Sequence, residues 1–156
     1  MRFAGRTGTG RDLLFGDHAP ANEFSPMETI VAALAACSAM DVISIARKKR
    51  QAIDRYEVHA VGDQRDEYPQ VLTEVTVLHE VWGQNVSEAA VRRSIELSAT
   101  KYCPVNAMLS AGATVVHHRY AIHSTGARSY EAEGEVVATG PYRRPDVLAD
   151  ERRARA

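Results

Sequence analysis

Two stretches of the chain repeat apolar residues at helical spacing, and the segments around them alternate as strands do. The first helix opens at Ser25-Pro26-Met27-Glu28. Ser25 suits an N-cap, Pro26 the first helical position, and Glu28 completes an S-x-x-E capping box. Thr29 to Ala46 is then Ala, Val, Leu and Ile with hardly a polar face, and Arg47-Lys48-Lys49-Arg50 places cations at the negative end of the helix dipole. A helix apolar nearly all round is a buried one. A domain of this size has little to cover it with, so a second copy of the chain is the expected lid. The second helix begins near Ser87, with Val91, Ile95, Ser98 and Tyr102 on one face. Cys103-Pro104 interrupts it, and a short turn, Val105 to Leu109, follows.

Residues 1 to 24 hold Thr7-Gly8-Thr9-Gly10 and Leu13-Leu14-Phe15, which read as a β-hairpin or two short strands. Tyr56, Val58 and Ala60 alternate with Glu57 and His59; Val71, Thr73, Val75 and Val77 alternate with Leu72, Glu74, Thr76 and Leu78. Thr114 to His123 reads as a closing strand. Tyr130 to Val137 could add an edge strand, and the charged, proline-bearing residues 140 to 156 read as a mobile tail. The predicted architecture is α+β with a largely antiparallel sheet.

The chain has 156 residues, 45% of them hydrophobic and 25% charged, with a formal net charge of −1. That balance offers no general attraction to nucleic acid or to anionic lipid. The apolar run Ile30 to Met40 is shorter than a bilayer-spanning helix needs, and Met1-Arg2-Phe3-Ala4-Gly5-Arg6 has no apolar signal core. A cytoplasmic protein without a membrane partner is the expectation.

The candidate chemistry is sulfur. There are two cysteines. Cys37 lies mid-helix in Ala35-Ala36-Cys37-Ser38-Ala39, where an inert buried thiol is the plainer reading. Cys103 precedes Pro104; if Pro104 opens a helix, the sulfur sits near its N-terminus, which favours thiolate. A two-cysteine peroxidase needs an attacking thiolate, a cation to hold it, and a second thiol that captures the sulfenic acid before over-oxidation. Composition and spacing permit this scheme. No H-x-x-x-H, C-x-x-C, nucleophile elbow or G-x-G-x-x-G is present, so neither a metal nor an organic cofactor is expected. His59, His79, His117, His118 and His123 read as partly exposed strand residues.

Ser25-Pro26-Met27-Glu28 followed by Ala32-Ala33-Leu34-Ala35-Ala36-Cys37-Ser38-Ala39-Met40 resembles the first-cysteine helix of the OsmC/Ohr family, the osmotically induced and organic hydroperoxide resistance proteins. Lys101-Tyr102-Cys103-Pro104-Val105 resembles its second-cysteine motif. The resemblance covers roughly residues 1 to 123, leaving 124 to 156 as an extension. It implies an intertwined homodimer with two long central helices packed on sheet. It also implies Cys37 as peroxidatic and Cys103 as resolving thiol, organic hydroperoxides as substrates, and a small dithiol or lipoylated protein as reductant.

In that family an arginine from the N-terminal segment holds the thiolate and is itself held by a glutamate. Thr9-Gly10-Arg11-Asp12 resembles the segment that supplies the arginine, so Arg11 is the candidate, with Arg6 as the alternative. The family glutamate follows the helix-opening proline, where this chain has Met27. Glu28 comes one residue later and lies on the face opposite Cys37, about 13 Å away along the helix axis, so it reads as a capping residue. The rival expectation is a non-catalytic dimeric module that binds an apolar ligand or senses redox state.

Overall fold

Local signals fix the ends of the elements in the computed structural model, which describes residues 2–16, 23–127 and 129–138. Strands β1 (Arg2–Arg6) and β2 (Asp12–Gly16) form an antiparallel hairpin. Its turn is closed by Thr7 and Arg11 through backbone hydrogen bonds, with Gly10 at φ 79°. That left-handed conformation carries little penalty for glycine alone. Helix α1 (Pro26–Lys48) starts with both halves of the capping box in place: Ser25 N–H donates to Glu28 Oε2 at 2.7 Å, and Glu28 N–H to Ser25 Oγ at 3.2 Å. Glu28 is thus held by the helix start.

Strands β3 (Ala52–Gln64) and β4 (Leu72–Gln84) pair antiparallel. The chain then crosses the sheet through α2 (Glu88–Leu97), a π-helical turn (Ser98–Tyr102) and α3 (Pro104–Ser110). It returns as β5 (Val115–Thr125), and β6 (Tyr130–Ala138) pairs antiparallel along the edge. The order is β3-β4-β5-β6, and β4 and β5 run parallel. The sheet is therefore mixed. Some thirty residues of helical crossover lie between β4 and β5, which is the connection a parallel pair requires.

The largely antiparallel sheet holds apart from that one pair, and several local expectations change. β3 runs on through Gly62-Asp63, which the sequence marks as a break, and an irregularity at Asp63/Gln64 shifts the register there. Beyond it Leu72 is buried while Val71 and Thr73 are exposed, so the inward residues of β4 are Leu72, Val75, Val77, His79 and Val81. Helix α1 is covered on one face only: Val31, Leu34, Ala35, Ser38, Val42 and Ala46 are buried, and Met40 is 73% exposed. The second helical region is three short pieces, because Pro104 lacks the N–H that would continue it. By length and composition α1 alone among the described helices could cross a membrane, since it continues past Asp41 to Lys48. Here it packs on the sheet. Residues 139–156, which include the expected tail, lie outside the described residues.

The core has three layers along α1. Leu34, Val77 and Val116 belong to one apolar cluster, and Val42, Val81, Tyr120 and Ile122 to another. Between them on the same three elements stand Ser38, His79 and His118, each fully buried. A polar seam thus separates two apolar regions.

Candidate functional site

Cys37 and Cys103 meet at the edge of the first apolar cluster. Cys37 is half-buried on α1, and Cys103 is buried at the N-cap of α3. The two Sγ atoms are 2.8 Å apart, with the Cys103 thiol donating to Cys37. Both are free thiols. Proline positions the second sulfur: Pro104 ends the π-helical turn and opens α3, leaving Cys103 extended (φ −74°, ψ 107°) with its Sγ accepting from Asn106 N–H at 3.3 Å. Burial pushes the Cys103 thiol up to about 12, and its hydrogen bond to Cys37 adds to the rise; the Asn106 N–H acts the other way. Cys103 thus stays protonated and donates to its neighbour.

Asn106 links this pair to the polar seam. Its Nδ2 donates to Ala99 O at 2.8 Å, so Oδ1 is free to accept from His118 Nε2 at 3.0 Å. A neutral His118 then accepts at Nδ1 from His79 Nε2, 3.1 Å away, and His79 accepts at Nδ1 from the Tyr56 hydroxyl at 2.6 Å. The tautomers follow from the Asn106 orientation. The result is one directed chain, Tyr56 to His79 to His118 to Asn106, that crosses β3, β4 and β5 and ends at the turn holding Cys103. Burial lowers His79 to about 3 and His118 to about 4, with nearby imidazole charge as a lesser cause. Burial likewise raises the Tyr56 phenol. These histidines, read from sequence as partly exposed, are fully enclosed because each satisfies the other's ring nitrogen. The alternation Val116-His118-Tyr120-Ile122 carries the signal that His118 points inward.

Arg11 lies in the hairpin turn and is exposed, and its backbone N–H donates to Thr7 Oγ1. Its guanidinium has no salt-bridge partner among the described residues. Arg6, the alternative, is held by Asp12 through two bonds of 2.7 and 2.9 Å. Among the described residues no arginine or lysine hydrogen-bonds to either sulfur. Asp41, one turn after Cys37 on α1, accepts from Ser98 Oγ at 3.1 Å and stands beside the thiols. The sequence reading did not single it out.

An apolar groove of about 630 Å³ runs between α1 and β3–β4, lined by Phe24, Met27, Val31, Ala36, Val58 and Leu72. It reaches the residue preceding Cys37. The OsmC-like protein family matches residues 17–118, a span that holds both cysteines. The chain belongs to the OsmC-like family. It is 37% identical over 121 residues to Protein YhfA of Escherichia coli K12, covering 75% of this chain and 87% of that protein. Among solved structures, a hypothetical protein from Aquifex aeolicus VF5 superposes with a TM-score of 0.66 at 24% identity, covering 81% of this chain and 89% of the other. An organic hydroperoxide resistance protein OsmC from Legionella pneumophila superposes at 0.53 with 12% identity, covering 80% and 97%. At such identities these structures speak for the shared OsmC-like fold.

Proposed function

We propose that this OsmC-like protein is a cytoplasmic thiol-dependent peroxidase that reduces organic hydroperoxides through a Cys37–Cys103 disulfide cycle. The 2.8 Å approach of the two sulfurs, with Cys103 donating, is the observation that carries the reading. Cys37 attacks one peroxide oxygen as thiolate; the O–O bond breaks, and the alkoxide leaves and takes a proton to become an alcohol. Cys37 is left as sulfenic acid. Cys103 attacks that sulfur, water departs with the thiol proton, and the disulfide forms. An external dithiol, small or carried on a lipoylated protein, returns both thiols. The apolar groove beside Cys37 suits an alkyl or lipid chain.

Within this reading the chain acts as a homodimer. The uncovered face of α1 and the exposed Phe3, Leu13, Leu14 and Phe24 of the N-terminal segment are surfaces a second copy would bury. The hairpin of that copy would bring Arg11 to the thiolate, while Arg6 is turned to Asp12. In this reading residues 1–123 are the working domain, and β6 of the 124–156 extension adds the edge strand of its sheet. The test is turnover of cumene hydroperoxide with dihydrolipoamide. Activity unchanged in Cys37→Ser would falsify the assignment.

A second reading is a non-catalytic module that binds an apolar ligand in the groove. Met27 favours it, standing in that groove at the place where hydroperoxide resistance members carry glutamate. Rapid alkylation of Cys37 at neutral pH supports the enzyme; the slow rate of an ordinary thiol supports the module.

A further inference from the structure

Cys37 and Asp41 are one helical turn apart on α1, and Cys103 reaches the same spot from the start of α3. Both Sγ atoms and one Asp41 carboxylate oxygen lie within 4.8 Å of one another. The Ser98 hydroxyl fixes the carboxylate in place. Three side chains of ligand type therefore converge, and no lysine or arginine among the described residues is bonded to any of them. Two sulfurs and a carboxylate oxygen facing one point are a donor set that a cation can bridge. Two thiolates select a soft or borderline ion, and a carboxylate oxygen is an accepted third ligand of zinc.

We propose that in the reduced protein Cys37, Asp41 and Cys103 form a three-ligand site for a thiophilic divalent cation of the zinc class, with a fourth position open to water. Zinc–sulfur bonds of about 2.3 Å hold two tetrahedral sulfurs about 3.8 Å apart. From 2.8 Å the sulfurs must part by about 1 Å, which side-chain rotation supplies. The ion displaces both thiol protons into solvent, so affinity rises with pH. The disulfide offers no thiolate, so the site exists only in the reduced protein. Sequence spacing hides it, because Cys103 joins from 66 positions away. The proposal shares its sulfurs with the peroxidase reading but needs no turnover, so either can fail alone.

The experiment is an anaerobic titration of the reduced protein with Co²⁺ alone, followed optically. One equivalent should give a thiolate-to-cobalt charge-transfer band in the near ultraviolet and the visible bands of four-coordinate cobalt, and Zn²⁺ should bleach both. The signal should vanish in the disulfide form and in Cys103→Ser. Asp41→Asn, with an unchanged far-ultraviolet circular dichroism spectrum, should weaken binding about tenfold or more. Absence of the charge-transfer band, its survival in Cys103→Ser, or equal affinity in Asp41→Asn overturns the proposal. Glu57, His59 and Glu80 form a second cluster of ligand type on the outer sheet face. A cobalt signal that disappears in His59→Ala instead assigns the ion there and equally overturns it.

Discussion

His79 Nε2 donates to His118 Nδ1 across 3.1 Å, and neither ring is open to solvent. Both rings are neutral in the folded protein, with His79 lowered to about 3 and His118 to about 4. In the unfolded chain each titrates near 6.5. Between these values the unfolded state binds more protons, so stability is fully present above pH 6.5 and falls as the pH drops toward the folded values. The slope reaches at most about 2.7 kcal/mol per pH unit for two groups. Urea midpoints measured from pH 7.5 to 4.5 should show this fall. A His79→Gln/His118→Gln variant should show a flatter one; an equal slope in both proteins refutes the assignment.

Asn106 is where the polar seam meets the cysteine turn. In Asn106→Ala the His118 Nε2–H and the Ala99 carbonyl both lose their partners. Leaving buried polar groups unpaired costs about 1–3 kcal/mol each, so a loss of about 2–6 kcal/mol is expected by denaturant unfolding. A loss below about 0.5 kcal/mol would show the bonds to be dispensable.

Under the proposed cycle, removal of the Cys103 sulfur should expose Cys37 to further oxidation. Cys103→Ser, treated with excess cumene hydroperoxide, should accumulate sulfinic and sulfonic acid at Cys37, seen by mass spectrometry as two and three added oxygens. The unsubstituted protein should instead lose two hydrogens as its disulfide forms. Equal over-oxidation of both would remove Cys103 from the cycle.

The two arginines should separate cleanly. Arg11→Ala should slow alkylation of Cys37 at neutral pH by about tenfold, since a nearby cation favours thiolate. Arg6→Ala should leave the rate within about twofold, because the Arg6 guanidinium is turned to Asp12 across the hairpin. The reverse order would transfer the role to Arg6.

Met40 projects from the uncovered face of α1. Met40→Glu adds a charge where the proposed second copy packs, and burying an unpaired carboxylate is costly. Light scattering at micromolar concentration should give the dimer mass for the unsubstituted protein and the monomer mass for the variant. A dimer in both would place the interface elsewhere.

Legibility in the sequence followed the range of the interaction. The Ser25/Glu28 box, the Ser87 cap and the Pro104 restart are local, made by residues within a few positions of each other, and their residue types announce them. The parallel pairing of β4 with β5 is a long-range choice made by packing of the crossover helices, and neither strand carries a mark of its partner's direction. The OsmC/Ohr resemblance pointed to both cysteines but held nothing about Asp41, which a helix pattern reads as one polar residue in an apolar run. His79 and His118 were misread by residue type. Their phase against Val77, Val81, Val116 and Tyr120 placed them inside, yet a polar side chain looks acceptable inside only once its partner is known.

The crossover that makes β4 and β5 parallel also sets when the two sulfurs can meet. On an elongating polypeptide Cys37 emerges from the ribosome well ahead of Cys103, and β5, whose inward residues anchor the second sulfur's turn, follows later still. The long-range pairing that closes this loop is the slow kind of step. Nascent protein therefore carries two unrelated thiols, and only on completing its topology brings them into contact.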